Sequence, residues 1–127
     1  MAYQFRKHYT LEEARELLPQ LRKWLQRLDH MRDQLRKDEL RLGSIMEGGA
    51  DAGGGVVNSW VRMLADTREL LGEFEEREIL IKDPERGLLD FPAIIGGKEV
   101  FLCWEKDEDD IEFWHDLDTG FAGRERL

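Results

Sequence analysis

The feature that most constrains the fold is a regular apolar pattern in the first third of the chain. From residue 11 onward, apolar side chains recur at alternating steps of three and four residues, with Arg32 and Glu39 as the two interruptions. Such steps place side chains on one face of an α-helix. Thr10 and Glu13 form a capping-box sequence at its start, so we predict helix one over residues 10–42. Its seam comprises Leu11, Ala14, Leu18, Leu21, Leu25, Leu28, Leu35 and Leu42.

A glycine-rich stretch separates this helix from a second one. Residues 43–55 contain six glycines, which indicates a loop over residues 43–56. Helix two is predicted over residues 57–80, because the three-and-four spacing resumes there. Two helices with matching seams and a single connection form an antiparallel hairpin. The predicted seam of helix two comprises Val57, Trp60, Leu64, Thr67, Leu71 and Phe74.

The length of this hairpin predicts self-association. A helix of about 30 residues is about 45–50 Å long at 1.5 Å per residue. The remaining sequence is too short to cover both helices along that length. We therefore expect the hairpin to pair with a second copy through the helices, giving a four-helix core in a homodimer.

The pattern changes after residue 86, where strand-like segments replace the helical spacing. Residues 87–116 indicate a small antiparallel sheet of three strands, whose first turn is Gly96-Gly97. Pro92 places the first strand at an edge, and Cys103 lies in an apolar run that is typical of a strand covered on both faces. We predict an α+β fold in a single domain, residues 1–127, with residues 117–127 as a C-terminal tail. Cys103 is interpreted as a small buried hydrophobe.

The charge of the chain excludes several classes of function. A net charge of −9 is a poor match to a phosphate backbone, so we predict no nucleic-acid binding. No apolar run is long enough to cross a membrane, and the N-terminus does not have the apolar core of a signal peptide. With one cysteine, we expect a cytoplasmic protein. Because residues 1–42 hold ten bases and residues 105–118 hold eight acids, we expect the acidic segment to lie against a basic helix face, within one chain or between two.

The most distinctive residues are concentrated in residues 108–124. If residues 111–116 form a strand, His115 shares one face with Ile111 and Phe113. In a purely structural interpretation, His115 bonds an acid and Arg124 clamps a carboxylate. In a binding interpretation, His115 and Arg124 line a pocket for a small anion or a partner carboxylate. The carboxylates that we consider for Arg124 are Asp116, Asp118 and Glu108.

A metal site is the third interpretation of the same segment. Mixed nitrogen and oxygen ligands suit zinc, manganese or iron. The candidate ligands are His115, Glu108, Asp116 and Asp118, with Glu73 or Glu76 at the end of helix two. The spacing Glu112-x-x-His115 also occurs in di-iron bundles, but in a strand these two residues point apart, and both helical seams are aliphatic. No serine or cysteine stands out as a nucleophile, and whether the protein is an enzyme stays open.

The chain resembles the uncharacterised bacterial family catalogued as domain of unknown function 2203. The resemblance is carried by Leu17-Leu18-Pro19, by Gly87-Leu88-Leu89-Asp90-Phe91-Pro92 and, most specifically, by Trp114-His115-Asp116-Leu117-Asp118-Thr119-Gly120-Phe121-Ala122-Gly123-Arg124. Asp107 stands where family members usually have glycine. The resemblance implies no activity or cofactor. It implies that the family's distinctive residues are Asp90, Glu108, His115 and Arg124, which adds Asp90 to the candidate binding residues.

Two functional hypotheses follow from these observations. The first is a non-enzymatic module for ligand binding, partner binding or assembly, with residues 108–124 as the binding surface. The alternative is a metal-binding protein, extending to a metal-dependent enzyme, in which a divalent transition metal is held by His115 and nearby carboxylates.

Overall fold

The computed structural model describes residues 2–49 and 54–127 and has the predicted α+β architecture. Two helices come first, and an antiparallel sheet follows them in the chain. The helices are α1 (Leu11–Glu47) and α2 (Gly54–Glu76), and a short 3-10 helix spans Phe121–Gly123. The strands are β1 (Leu80–Asp83), β2 (Leu88–Ile95), β3 (Lys98–Glu105), β4 (Phe113–Asp116) and β5 (Glu125–Arg126).

α1 starts where its sequence indicates, but α2 starts before the predicted residue 57, and α1 ends after the predicted residue 42. Thr10 and Glu13 form the capping box reciprocally, and α1 begins at the next residue. α1 continues through Gly43 to Glu47, and α2 already begins at Gly54. Helical geometry tolerates an isolated glycine at a cost of about 1 kcal/mol, so Gly43 does not stop the helix. The centre of the predicted glycine loop, residues 50–53, lies outside the described residues.

Part of the predicted seam of α2 is displaced by one residue. Phe74 is buried as predicted, but Val57, Leu64 and Leu71 are exposed. Their preceding neighbours Val56 and Leu70 are buried instead, and Met63 packs against the same core. α2 carries two apolar stripes side by side, and the sequence pattern does not say which of them faces α1. On α1 the predicted seam is buried from Ala14 to Leu28.

α2 ends four residues before the predicted boundary because of a cap that does not use glycine. Glu78 has a left-handed backbone, with φ of 54°. The Ile79 amide donates to the Phe74 carbonyl, and the Glu78 amide donates to the Glu75 carbonyl. This is the Schellman pattern of helix termination, in which glycine is the usual residue at the left-handed position. The chain is therefore free to enter β1 at Leu80.

The sheet has five strands rather than the predicted three, in the order β1-β2-β3-β4-β5. β2, β3 and β4 are the predicted strands. β1 was not predicted, because helix two was expected to reach residue 80 and the sheet to begin at residue 87, and β5 lies in the predicted C-terminal tail. Both extra strands are short edge strands, of four and two residues, and they carry too few residues for an alternating pattern. β2 is an edge only beyond Asp90, and there the Tyr9 amide donates to the Pro92 carbonyl.

Alternating residues give the sheet two different faces. We call the face that packs against the helices the helix-facing face, and its residues belong to the main hydrophobic core. The outer face lies on the other side of the strands. The helix-facing face comprises Leu89, Phe91, Leu102, Trp104 and Trp114, and the outer face comprises Asp90, Pro92, Phe101, Cys103, Phe113 and His115.

The two ends of the chain cover the outer face. The Phe5 ring packs edge-on against Phe101 at 5.4 Å. Glu99 fixes this N-terminal segment, because its carboxylate accepts hydrogen bonds from the Gln4 and Phe5 amides and contacts His8 at 2.7 Å. At the other end of the face, the Arg124 guanidinium lies 4.0 Å from the Phe113 ring. The two ends of the chain thus contribute side chains that cover the outer face.

The acidic segment lies against α1 within one chain. Arg15 donates to Asp110 at 2.8 Å. Arg22 donates to the carbonyl oxygens of Glu108 and Asp109. These contacts agree with the expected association between the acidic segment and a basic helix face. Neither helix is, over its described residues, long and apolar enough to cross a membrane.

Candidate functional site

Three neighbouring strands bring Asp90, Cys103 and His115 together on the outer face. Asp90 in β2 is paired directly with Cys103 in β3, and His115 in β4 is paired with Phe101 in β3. The exposed fractions are 1% for Asp90, 0% for Cys103 and 2% for His115. One ligand atom from each residue lies within 4.8 Å of the other two. We call these three residues the buried cluster.

The backbone fixes the orientation of the His115 ring. Nδ1 lies 2.6 Å from the carbonyl oxygen of Asp116, and a carbonyl can only accept, so Nδ1 carries a hydrogen. Nε2 then points at Asp90 and lies 3.0 Å from both carboxylate oxygens. The His115 ring is therefore held between a backbone carbonyl and a buried carboxylate.

The thiol of Cys103 completes the cluster. Burial raises its pKa to about 12, the negative charge of Asp90 acts in the same direction, and Arg124 opposes both. The thiol therefore keeps its proton at neutral pH in the metal-free protein. Cys103 is buried, as predicted, and a nucleophilic role does not suit a thiol in this state. A role as a metal ligand stays open, because a bound cation displaces the thiol proton.

Glu108 and Arg124 form a second unit beside the cluster. The Nη1 atom of Arg124 donates to both carboxylate oxygens of Glu108, at 3.0 and 3.1 Å. The guanidinium lies 4.0 Å from the Phe113 ring and 4.2 Å from the Phe121 ring. Glu108 also accepts the Glu105 amide at 2.8 Å. The expected clamp on a carboxylate is present with Glu108 as its partner, although one nitrogen rather than two makes both bonds.

The other predicted ligands lie away from His115 Nε2. Asp116 follows His115 in β4 and points to the opposite face, where its Oδ1 lies 2.7 Å from Lys98 Nζ. Asp118 is exposed in the turn after β4. Glu73 on α2 is paired with Arg77 at 2.7 Å. The structure therefore brings His115 together with Asp90 and Cys103, and it does not bring Glu108, Asp116 or Asp118 into the same cluster.

Sequence analysis missed Cys103 as a candidate ligand, although a signal for it was present. A two-residue turn fixes the register of a hairpin. With Gly96-Gly97 as the turn, Ile95 pairs with Lys98, and counting back along both strands places Asp90 opposite Cys103. That pairing alone predicts a carboxylate and a thiol side by side. The third member, His115, needs the β3–β4 register, which no short turn fixes.

The donor set of the buried cluster suits a transition metal. It offers one sulfur, one nitrogen and one carboxylate oxygen, which are the three donor types that zinc accepts in proteins. Histidines that bind metals usually donate the second ring N–H to a carbonyl or carboxylate, as His115 does to Asp116. An aspartate, a thiolate and a neutral imidazole carry two negative charges. A divalent ion therefore neutralises the site, which favours burial.

Comparison with known proteins places the chain in a family without assigning it an activity. No curated protein and no solved structure matches the chain. The family model for uncharacterized conserved proteins, DUF2203, matches residues 7–127, which include both helices, all five strands and the buried cluster. This chain therefore belongs to the family of uncharacterized conserved proteins DUF2203.

Proposed function

We propose that this protein binds a divalent transition metal, with zinc as the first candidate, through Asp90, Cys103 and His115. The single observation that carries the proposal is the convergence of three different donor atoms at a fully buried point of the sheet. This ligand set differs from the one predicted from the sequence. It keeps His115 and replaces Glu108, Asp116 and Asp118 with Asp90 and Cys103.

The three side chains of the buried cluster stabilise the fold less than apolar side chains would, and this supports the proposal. A buried ion pair or proton-sharing pair contributes little to stability, since apolar residues of similar volume serve a core as well or better. The other buried residues of the strands that carry the cluster are all apolar. Packing of the sheet therefore does not require an acid, a thiol and an imidazole at adjacent positions. Metal binding would use all three as ligands.

The position of the cluster in the sheet means that a bound metal ion would stabilise the fold. The three ligands come from β2, β3 and β4, so a bound ion would join three strands through side chains in addition to the backbone ladder. Three protein ligands leave one position of a tetrahedral zinc site for a fourth group. The Arg124–Glu108 pair lies beside the cluster, and its mutual neutralisation limits the repulsion between Arg124 and a cation.

Cobalt titration tests the proposal, because a cobalt–thiolate bond absorbs in the near ultraviolet. Chelator-treated protein is titrated with Co²⁺, and we expect saturation at one ion per chain with a thiolate band. Cys103→Ser should abolish the band, and His115→Ala should abolish saturable binding. Asp118→Asn is the matched control and should bind as the wild type does, because Asp118 is exposed and outside the cluster. A wild type without saturable binding, or a control that loses binding, contradicts the proposal.

A further inference from the structure

The outward side of α2 carries an apolar stripe. Its residues follow the spacing of one helical face, at steps of four, three and seven. They are also well exposed for apolar residues, at 36% for Val57, 53% for Val61, 38% for Leu64 and 37% for Leu71. The buried side of the same helix is formed by other residues, so packing against α1 does not explain the stripe. We call these four residues the α2 stripe.

The stripe continues into a groove at the end of the helix. Leu71 also lines a groove of about 470 Å³, together with Phe5, Phe74, Leu80 and Ile81. Leu80 and Ile81 belong to β1, which within the described part of the chain pairs with β2 alone. An unpaired edge strand beside an apolar surface is an association site unless something covers it. The helix stripe, the groove and the strand edge thus form one surface.

The charges along α2 indicate which partner fits this surface. Between residues 54 and 68 the helix holds two bases, Arg62 and Arg68, and one acid, Asp66. Between residues 69 and 76 it holds four acids and no base. A parallel copy of α2 would place the four acids of one helix beside the four acids of the other. An antiparallel copy places these acids beside the N-terminal end of the other helix, which carries no acid before Asp66 and is the positive end of the helix dipole. A two-fold axis perpendicular to the helices produces this antiparallel arrangement in a homodimer.

We infer that the α2 stripe is the interface of a homodimer, in which α2 packs antiparallel against α2 of a second copy. This inference goes beyond the metal proposal and does not depend on it. It also refines the expected four-helix core, because it assigns the contact to α2 and leaves the exposed Leu40 of α1 outside the interface. The groove and the β1 edge lie at the end of the same interface.

Sedimentation equilibrium of the full chain tests whether the α2 stripe is the dimer interface. We expect a wild-type mass of twice 14.9 kDa at micromolar concentration. Val61→Glu should weaken association by at least about tenfold, since it places a charge in the apolar contact. Leu40→Glu makes the same chemical change at an apolar residue that is 70% exposed on α1, and it should leave association unchanged. A monomeric wild type, or a mass that responds to Leu40→Glu and not to Val61→Glu, overturns the inference.

Cysteine crosslinking tests the antiparallel arrangement separately. Leu64 lies halfway between Val57 and Leu71, so in an antiparallel pair centred on the stripe it meets its own copy. Val57 would lie about 20 Å from its copy, because twice seven residues separate the two at 1.5 Å per residue. Under mild oxidation Leu64→Cys should crosslink two chains and Val57→Cys should not. Crosslinking of both indicates a parallel pair, and crosslinking of neither indicates another surface. Either result overturns the arrangement.

Discussion

The two faces of the sheet are equally buried but differ in what they contain. On the helix-facing face, Phe91 and Trp104 are fully buried among apolar side chains of the helices. On the outer face, Asp90 and His115 are as well buried, and they lie beneath the two ends of the chain. The first face is explained by burial of apolar area alone. The second face contains polar groups that burial disfavours, so its composition points to a function.

We expect the largest loss of stability from a substitution on the helix-facing face. Phe91→Ala removes a fully buried ring that packs on Tyr9 at 5.6 Å, and it should lower the free energy of unfolding by about 3–5 kcal/mol. Urea unfolding in chelator measures the loss. The metal content per folded chain should not change, because Phe91 points away from the cluster. Loss of metal from a folded Phe91→Ala protein would show that the two faces are not separable.

Metal removal should have the next largest effect, and it acts on the outer face. Zinc at about one hundred times its dissociation constant should raise the free energy of unfolding by about 2.7 kcal/mol. The increase should disappear in Cys103→Ser and persist in Asp118→Asn. Thermal unfolding with and without zinc measures it. An equal zinc effect in wild type and Cys103→Ser would mean that the ion binds elsewhere.

Acid should weaken the attachment of the N-terminal segment to the outer face. Burial alone would raise the pKa of the Glu99 carboxyl, but hydrogen bonds from His8 and two backbone amides outweigh burial and hold the pKa below 4.5. A lowered pKa in the folded state gives stability that is present above pH 4.5 and is lost as pH falls toward the lower value.

Glu99→Gln checks this pH dependence. The variant should lose less stability than the wild type on acidification below pH 4.5, by an amount smaller than the effect of zinc. Glu112→Gln changes an exposed acid just before β4 and should leave the wild-type acid profile almost unchanged. Urea unfolding across this pH range gives the comparison. Parallel profiles for wild type and Glu99→Gln would contradict the role assigned to Glu99.

We expect the smallest loss of stability from breaking an ion pair that lies on neither face of the sheet. The hydrogen bond from Arg15 lowers the pKa of Asp110, and both side chains are about two-fifths exposed. Exposed pairs of this kind contribute about 0.2–1 kcal/mol. Arg15→Gln should therefore destabilise by less than about 1 kcal/mol, and molar salt should reduce the difference. A larger loss in urea unfolding would show that the acidic segment depends on α1 for its structure.

Much of the scaffold could be predicted, because it rests on periodic patterns. The α1 seam, the capping box at Thr10 and the β2–β3 hairpin were each given by local residues with a clear physical role. The helix-facing side of α2 could not be chosen, since both of its stripes are apolar. β1 was missed because Glu78, and not a glycine, takes the left-handed position that ends the helix.

The candidate site was predictable only in part. His115 stood out as a histidine among acids and aromatics, and its pairing with Asp90 depends on strand register. Glu108 was one of three carboxylates predicted as the partner of Arg124, and the sequence could not choose among them because residues 108–124 contain six acids. Cys103 was interpreted as packing, and its burial agrees with that interpretation. Its neighbours on the adjacent strands make it a candidate ligand.

Elemental analysis of untagged protein, purified without chelator and dialysed against trace zinc, tests the metal site most directly. Wild type and Asp118→Asn should each contain close to one transition-metal ion per chain, and Cys103→Ser should contain almost none. Wild-type protein without metal, or Cys103→Ser that retains a full equivalent, would contradict the proposed site. In that case the buried cluster would be a polar part of the core and nothing more.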